Sequence, residues 1–260
     1  MLDWNPALYR RYEDERTRPA QELLARVPHP APRHVVDLGC GPGNSTELLV
    51  QRYPQAQVTG IDNSQAMIEN AQERLPGTAF ALGDIARWEP APGAAPDLIY
   101  ANASLQWVGG HEQLIPRLFD CLAPGGVLAI QMPDNRQEPT HRLMREVAAD
   151  PRWSGAIGDP NAVRTELLGI GSYYDLLAPR AAHLDVWHTV YQHVMPSAAA
   201  IVEWVRATGL KPFIDPLAES QRSAFLAEYE RRVESAYAVH TDGRRLLAFP
   251  RLFIVAQRSA

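Results

Sequence analysis

The chain has 260 residues, 46% of them hydrophobic and 21% charged, which suits one folded α/β domain with an elaboration rather than several full domains. A net charge of −5, from 25 Lys and Arg against 30 Asp and Glu, excludes a general nucleic-acid binder built on a basic excess. Two cysteines, Cys40 and Cys121, cannot form a disulfide framework or a four-thiolate metal site, and Pro250 and Arg251 break the longest apolar run well short of a membrane span.

The first residues include Asp3, Arg10, Arg11, Glu13, Asp14 and Glu15, a polar start rather than an apolar leader, so a soluble cytoplasmic protein is expected. No internal repeat or low-complexity tract follows. Strand-like runs at 34–38, 57–61, 78–82, 97–101 and 126–132 alternate with helical patterns. Ser64 is placed to cap a helix burying Met67, Ile68, Ala71 and Leu75. A second stripe, Ile115, Leu118, Phe119 and Leu122, stops at Pro124-Gly125-Gly126. Such alternation predicts a parallel sheet with right-handed crossovers. Beyond it, 138–149, 199–207 and 220–238 read as helices, while 184–193 and 252–256 read as two further strands. Helical insertions at about 135–182 and 196–249 precede these strands with no linker composition between them, giving one domain, 1–260, with a lid.

The most informative stretch is Asp37-Leu38-Gly39-Cys40-Gly41-Pro42-Gly43, a glycine loop between the first strand and a helix. A dinucleotide loop aims free N–H groups at a pyrophosphate and places its third glycine one residue later than Gly43; Pro42, moreover, has no N–H to donate. Asp37 at the mouth of the strand repels a pyrophosphate but suits a ligand with an ammonium group and a sulfonium, which is S-adenosyl-L-methionine. Asp62, ending strand two, is placed to accept both ribose hydroxyls, with Asn63 beside it. Asp84, ending strand three, is placed to accept from an adenine amino group, with Met67 and Ile85 as apolar walls; Asn102 ends strand four beside the methionine moiety. Each also has a plain structural reading: Asp62 and Asp84 as turn or cap residues, Met67 as core. Cys40 is most simply a small side chain that fits the loop.

This loop resembles motif I of the class I S-adenosylmethionine-dependent methyltransferases, and Asp62, Asp84 and Pro124-Gly125-Gly126 resemble that superfamily's later motifs. The resemblance implies a Rossmann-like, seven-stranded, mostly parallel sheet whose last strand, 252–256, is antiparallel and inserted, with helical lid insertions. Further stretches are similar to the trans-aconitate 2-methyltransferase family: Asp3-Trp4-Asn5-Pro6, Ala101-Asn102-Ala103-Ser104-Leu105-Gln106-Trp107, Gln131-Met132-Pro133-Asp134-Asn135, Glu138-Pro139-Thr140-His141, Ala207-Thr208-Gly209-Leu210, and the run from Leu246 to Val255. One departure is that 159–169 looks longer than the family pattern.

The resemblance implies transfer of a methyl group to one carboxylate of a small tricarboxylate, giving a monomethyl ester and S-adenosylhomocysteine. A carboxylate with a pKa of about 4 is already ionised at pH 7, so no catalytic general base and no metal are expected. Arginine should clamp the distal carboxylates and weaker Tyr or Trp donors should line the reacting end. Lys211 is the only lysine, so arginines carry that duty. The candidates for substrate binding are Trp107, Arg136, His141, Tyr173, Tyr174 and Arg206, with Arg16, Arg18 and Arg251 as further options. His183, His188 and His193 are spaced by five, which puts neighbours on opposite strand faces and gives no metal pattern. Nucleic acid, membrane and an obligate protein partner are not expected. Three alternatives stay open: a carboxyl methyltransferase acting on another di- or tricarboxylic or carrier-bound acid, an NAD-dependent oxidoreductase, and a non-catalytic nucleotide-binding module.

Overall fold

The computed structural model describes residues 13–163, 166–206 and 208–260, with side chains from residue 17 onward. Asp3-Trp4-Asn5-Pro6, Arg10, Arg11, Ala207 and the side chains of Glu13, Asp14, Glu15 and Arg16 lie outside the described residues, as do Arg164 and Thr165 within the 159–169 stretch.

Helix α1 (Glu13–Ala25) leads into β1 (His34–Leu38), whose Val35 and Leu38 are buried. The glycine loop then opens α2 (Asn44–Arg52), followed by β2 (Gln57–Asp62), α3 (Gln65–Arg74), β3 (Ala79–Leu82) and β4 (Leu98–Asn102). Ser64 caps α3, its hydroxyl accepting from the Met67 N–H at 3.4 Å, and the helix buries Met67, Ile68 and Ala71; Leu75 is the residue that closes the helix rather than part of its stripe. A single 3₁₀ turn (Leu105–Trp107) precedes α4 (His111–Asp120), which buries Leu114, Ile115, Leu118 and Phe119, and β5 (Val127–Pro133) completes the parallel core.

With β6 (Ala181–Met195) and β7 (Arg245–Arg258), the seven strands form one sheet in the order β3-β2-β1-β4-β5-β7-β6. Parallel pairing places Asp37 opposite both Gly60 of β2 and Tyr100 of β4, so it lies at the centre of the sheet near the carboxyl ends of its strands. The inserted strand, β7 (Arg245–Arg258), runs antiparallel to β5. The Arg258 N–H donates to Gly126 O at 2.8 Å and the Gly125 N–H to Ser259 O at 2.9 Å, so residue numbers rise on one strand as they fall on the other.

Both late strands are longer than the sequence pattern predicts. β6 spans Ala181–Met195 rather than 184–193, and β7 spans Arg245–Arg258 rather than 252–256. The first half of β7 is hidden by Pro250, which breaks the apolar run. Pro250 nevertheless joins the ladder through its carbonyl, which accepts from the Asp134 N–H at 3.0 Å just past the end of β5, so the strand loses only the bond proline cannot donate.

The chain divides into two compact units. The sheet unit comprises Glu13–Pro133, Leu167–Thr189 and Leu252–Ala260, with a core that includes Leu38, Ile99, Leu118, Leu128, Tyr173 and Ile254. The stretch 167–182 falls in this unit, and its helix α7 (Ile170–Leu177) buries Tyr173 and Leu177. The helical unit contains Asp134–Glu166 and Val190–Arg251. It is built from α5 (Pro139–Ala148), α6 (Pro151–Ile157), α8 (Ala198–Arg206), a short turn α9 (Lys211–Ile214) and α10 (Glu219–Ala236). Its core gathers Met144, Val147, Trp153, Trp204, Phe225, Tyr229 and Val233. Tyr229 Oη donates to Thr140 O at 3.1 Å and the Thr140 N–H donates to Tyr237 Oη at 3.2 Å, tying α10 and its end to the start of α5.

Candidate active site

The site in the sheet unit is assembled where β1, β2 and β4 end. Gly39, Gly41 and Gly43 have φ of +76°, +54° and +90°, a conformation that side chains rarely adopt. At Gly39 space is as restrictive as the dihedral, because a Cβ there would overlap Ser104 Cβ. That close approach is fixed by Ser104 Oγ, which donates to Leu38 O at 2.6 Å. The Ser104 side chain, from the turn after β4, is therefore packed directly against the backbone of the glycine loop. Ala103, at φ +53°, is the one non-glycine residue with positive φ among the described residues, and it lies in this turn.

Asp37 is completely buried. Ser45 Oγ and Thr46 Oγ1 each donate to its Oδ2 at 2.7 Å, while Oδ1 is buried with no hydrogen-bond partner. Burial pushes the carboxyl up to about 6, against the opposing donation from Thr46 and Ser45, and the nearby Asp62 charge adds to the rise. Asp62 is half-buried and organises the loop directly: its Oδ2 accepts from the Gly41 N–H and its Oδ1 from the Ser64 N–H, both at 2.9 Å. A carboxylate has about four acceptor positions, so two remain for other donors. Asn102 Oδ1 at the end of β4 is a second buried acceptor without a partner.

The remaining sequence-derived positions fall as follows. Asn63 is exposed beside Asp62, and Met67 is buried on α3. Asp84 is exposed just beyond β3, where it accepts from the Ala86 N–H at 2.9 Å, and Ile85 is half-buried next to it. Trp107, 38% exposed, ends the 3₁₀ turn, and Tyr174, 53% exposed, stands on α7. Tyr173 is in the core of the sheet unit: its hydroxyl lies 2.6 Å from His111 Nδ1 and accepts from the Leu168 N–H at 3.4 Å. His111 Nε2 lies 3.0 Å from Leu105 O, and a carbonyl only accepts, so Nε2 carries the proton and Tyr173 donates to Nδ1. Arg18 is exposed and pairs with Glu22 at 2.8 Å.

In the helical unit, Arg136 donates to Asn161 O at 3.1 Å and its own carbonyl accepts from Arg145 at 2.8 Å. His141 is buried at the start of α5, 3.1 Å from Thr140 Oγ1. Arg206 is exposed at the end of α8 and paired with Glu203 at 3.1 Å. Arg251 is buried in an aromatic setting.

Sequence reasoning did not reach Ser45, Thr46, Ser104 or His111. The first two carry a readable signal, a hydroxyl pair immediately after the glycine loop, whereas Ser104 and His111 act through contacts that only the fold creates. Cys40 packs under the loop, where burial pushes its thiol up and out of nucleophilic reach. Among the described residues no cluster of His, Cys, Asp and Glu could hold a metal ion, and no helix is long and apolar enough to cross a membrane.

Asp37 Oδ1, the spare acceptor positions of Asp62 and Asn102 Oδ1 make this a site for a ligand rich in donors, such as an ammonium and two ribose hydroxyls. It is ill suited to a pyrophosphate, and S-adenosylmethionine fits the donor set. The order of strands, the glycine loop and the acidic strand ends together define a class I methyltransferase. The methyltransferase-domain family matches residues 35–126. Among solved structures, the fold is similar to that of YcgJ from Bacillus subtilis, with a TM-score of 0.57 at 14% identity over 93% of this chain and 98% of that one. It is also similar to phosphoethanolamine N-methyltransferase 2 of Haemonchus contortus, solved with S-adenosyl-L-methionine, with a TM-score of 0.55 at 16% identity over 93% of this chain and 53% of that one.

Full-length relatives are more specific. The chain is 74% identical to the trans-aconitate 2-methyltransferase of Paracidovorax citrulli over 260 residues, and 71% identical to that of Variovorax paradoxus, in both cases across 100% of each chain. Identity to the enzyme of that name from Yersinia pseudotuberculosis is 56%, over 98% of each chain. The chain belongs to the trans-aconitate 2-methyltransferase family.

Proposed function

We propose that this protein uses S-adenosylmethionine to methylate one carboxylate of trans-aconitate, releasing the monomethyl ester and S-adenosylhomocysteine. The observation that carries this reading is the 74% identity, over the whole of both chains, to a relative of that name. The cofactor supplies an electrophilic methyl group on a sulfonium. Asp37 Oδ1 takes the ammonium end and Asn102 lies beside it, Asp62 takes the ribose hydroxyls next to Asn63, and Asp84 takes the adenine amino group between Met67 and Ile85. Gly39, Gly41 and Gly43 let the backbone come close enough.

The substrate carboxylate is ionised at pH 7, so the chain's work is to position it and to exclude water rather than to move a proton. Alignment of the reacting atoms can contribute about 7–11 kcal/mol in favourable cases. We assign substrate contacts to Trp107, Tyr174, Arg136 and His141, with Tyr173 bracing its neighbour and Arg206 contributing charge at the rim. The chain acts as a single methyltransferase domain in which 135–166 and 196–249 serve as the lid, the expected first insertion of 135–182 being shortened because 167–182 belongs to the sheet unit. A cytoplasmic setting suits its two free cysteines. The partner is a free small tricarboxylate, with no nucleic acid, membrane or obligate protein partner.

The test is steady-state methyl transfer to trans-aconitate, cis-aconitate, citrate, isocitrate and a carrier-bound malonyl group. Preference for trans-aconitate supports the reading. Transfer only to the carrier-bound acid would move the assignment to the alternative class of substrate.

A further inference from the structure

We infer that Gln106 is a positioning residue for the cofactor: its side-chain amide holds Ala103 in a left-handed conformation and so keeps the turn after β4 against the glycine loop. This deepens the reading above and rests on S-adenosylmethionine binding where β1 and β4 end.

The chain reverses immediately after β4. Asn102 pairs with Gln131 of β5, and the Ala103 N–H still donates to Gln131 O at 2.9 Å. Ala103 then takes φ +53°, where a Cβ crowds the residue's own carbonyl oxygen; the other described residues with positive φ are glycines, which have no Cβ to crowd. Alanine has no polar side chain to support this conformation locally, as asparagine or aspartate would, so the support has to come from elsewhere. Gln106 supplies it, with Nε2 donating to Ala103 O at 2.7 Å. The backbone bonds of the 3₁₀ turn start one residue later, from the Trp107 N–H to Ser104 O at 3.1 Å and from the Val108 N–H to Leu105 O at 2.9 Å.

The consequence falls on the residues either side of Ala103. Ser104 Cβ lies 2.2 Å from where a Cβ on Gly39 would stand, and Ser104 Oγ donates to Leu38 O at 2.6 Å. A return of Ala103 to the right-handed region would redirect the chain at Ser104 and break that contact with the loop. Asn102, on the other side, carries the buried Oδ1 without a partner.

The setting of Gln106 argues that its amide serves this bond rather than packing. The side chain is only 3% exposed. Ala103 O can only accept, so the atom facing it is Nε2, and Oε1 is left buried without a partner. An amide with one end unsatisfied fills a core less well than an apolar chain of the same shape. Packing alone would favour methionine at this position, whereas holding the turn requires the N–H donor.

The experiment measures S-adenosylhomocysteine binding by calorimetry for Gln106→Met and Gln106→Asn, each made in wild type and in the Ala103→Gly background, with urea titration to confirm that every variant folds. Methionine keeps the volume and loses the donor; asparagine keeps the amide but is one methylene too short to reach, and it decides the question if the methionine variant does not fold. In wild type each substitution should weaken binding about tenfold, the scale set by releasing a left-handed residue that bears a Cβ. In the Ala103→Gly background the same substitution should weaken it less than about threefold, because glycine stays in this region without support. Equal weakening in both backgrounds, or no weakening in a folded Gln106 variant, overturns the inference. Failure of wild type to bind S-adenosylhomocysteine overturns the reading of the site itself.

Discussion

Replacing Asp37 with asparagine should give a protein that is more stable without ligand and worse at binding its cofactor. The carboxyl is completely buried, and burial raises it from 3.8 to about 6 despite donation from Thr46 and Ser45. A pKa raised above its unfolded value contributes stability that is complete below about pH 4 and is lost as pH rises through about 6. At about 1.4 kcal/mol per pKa unit, the ionised carboxylate costs the ligand-free fold about 3 kcal/mol above that window. Asparagine keeps the shape and an acceptor for the two hydroxyls while removing the charge. Denaturant titrations should therefore find Asp37→Asn about 3 kcal/mol more stable than wild type at pH 8, with the gap closing at pH 4. Calorimetry with S-adenosylhomocysteine should show affinity falling about 100-fold, because the partnerless Oδ1 is the proposed acceptor for the ammonium. A stability gap of the same size at both pH values would refute the burial argument. Unchanged cofactor affinity would refute the assignment of Oδ1.

Gly39→Ala should destabilise the fold by about 3 kcal/mol in urea titration, since it combines a positive φ with a Cβ that overlaps Ser104. Tyr173→Phe should cost about 1–3 kcal/mol in thermal or chemical melts, because it strips His111 Nδ1 of its donor and the Leu168 N–H of its acceptor inside the sheet unit. Its effect should appear in stability with little change in cofactor affinity. Asp62→Ala should weaken cofactor binding and also loosen the glycine loop, since the Gly41 and Ser64 N–H groups both lose their acceptor; faster hydrogen exchange at those two amides is the readout.

The parallel half of the sheet was legible because β-branched and apolar runs of four to seven residues alternate with stripes at helical spacing, and each ends in a glycine, proline or capping residue. Ser64 is the clearest instance: a cap read from composition and found accepting the Met67 N–H. The ends of β6 and β7 were not legible, because alternation marks only the half-buried middle of a strand and Pro250 interrupts the apolar pattern of a strand that continues through it. At the site, residue types and spacing pointed to Asp37, Asp62 and Asn102, whose acceptors do lie at three neighbouring strand ends. The same reasoning could not tell an exposed arginine from a buried one. Arg206, with Glu203 three residues earlier on its helix, is exposed and paired, while Arg251, beside a proline, is buried on a ring two residues before it. Tyr173 and Tyr174 are adjacent in sequence, yet helix geometry sends one into the core and leaves the other 53% exposed.

The most direct test of the central claim is to incubate the protein with S-adenosylmethionine carrying a carbon-13 methyl group and trans-aconitate, and to follow the label by NMR. The account predicts a new methyl ester resonance growing in step with S-adenosylhomocysteine, with the label on one carboxylate and at a rate set by trans-aconitate concentration. Label that stays on the cofactor while the protein binds it tightly, or that appears on nitrogen or carbon instead of a carboxylate oxygen, would contradict it.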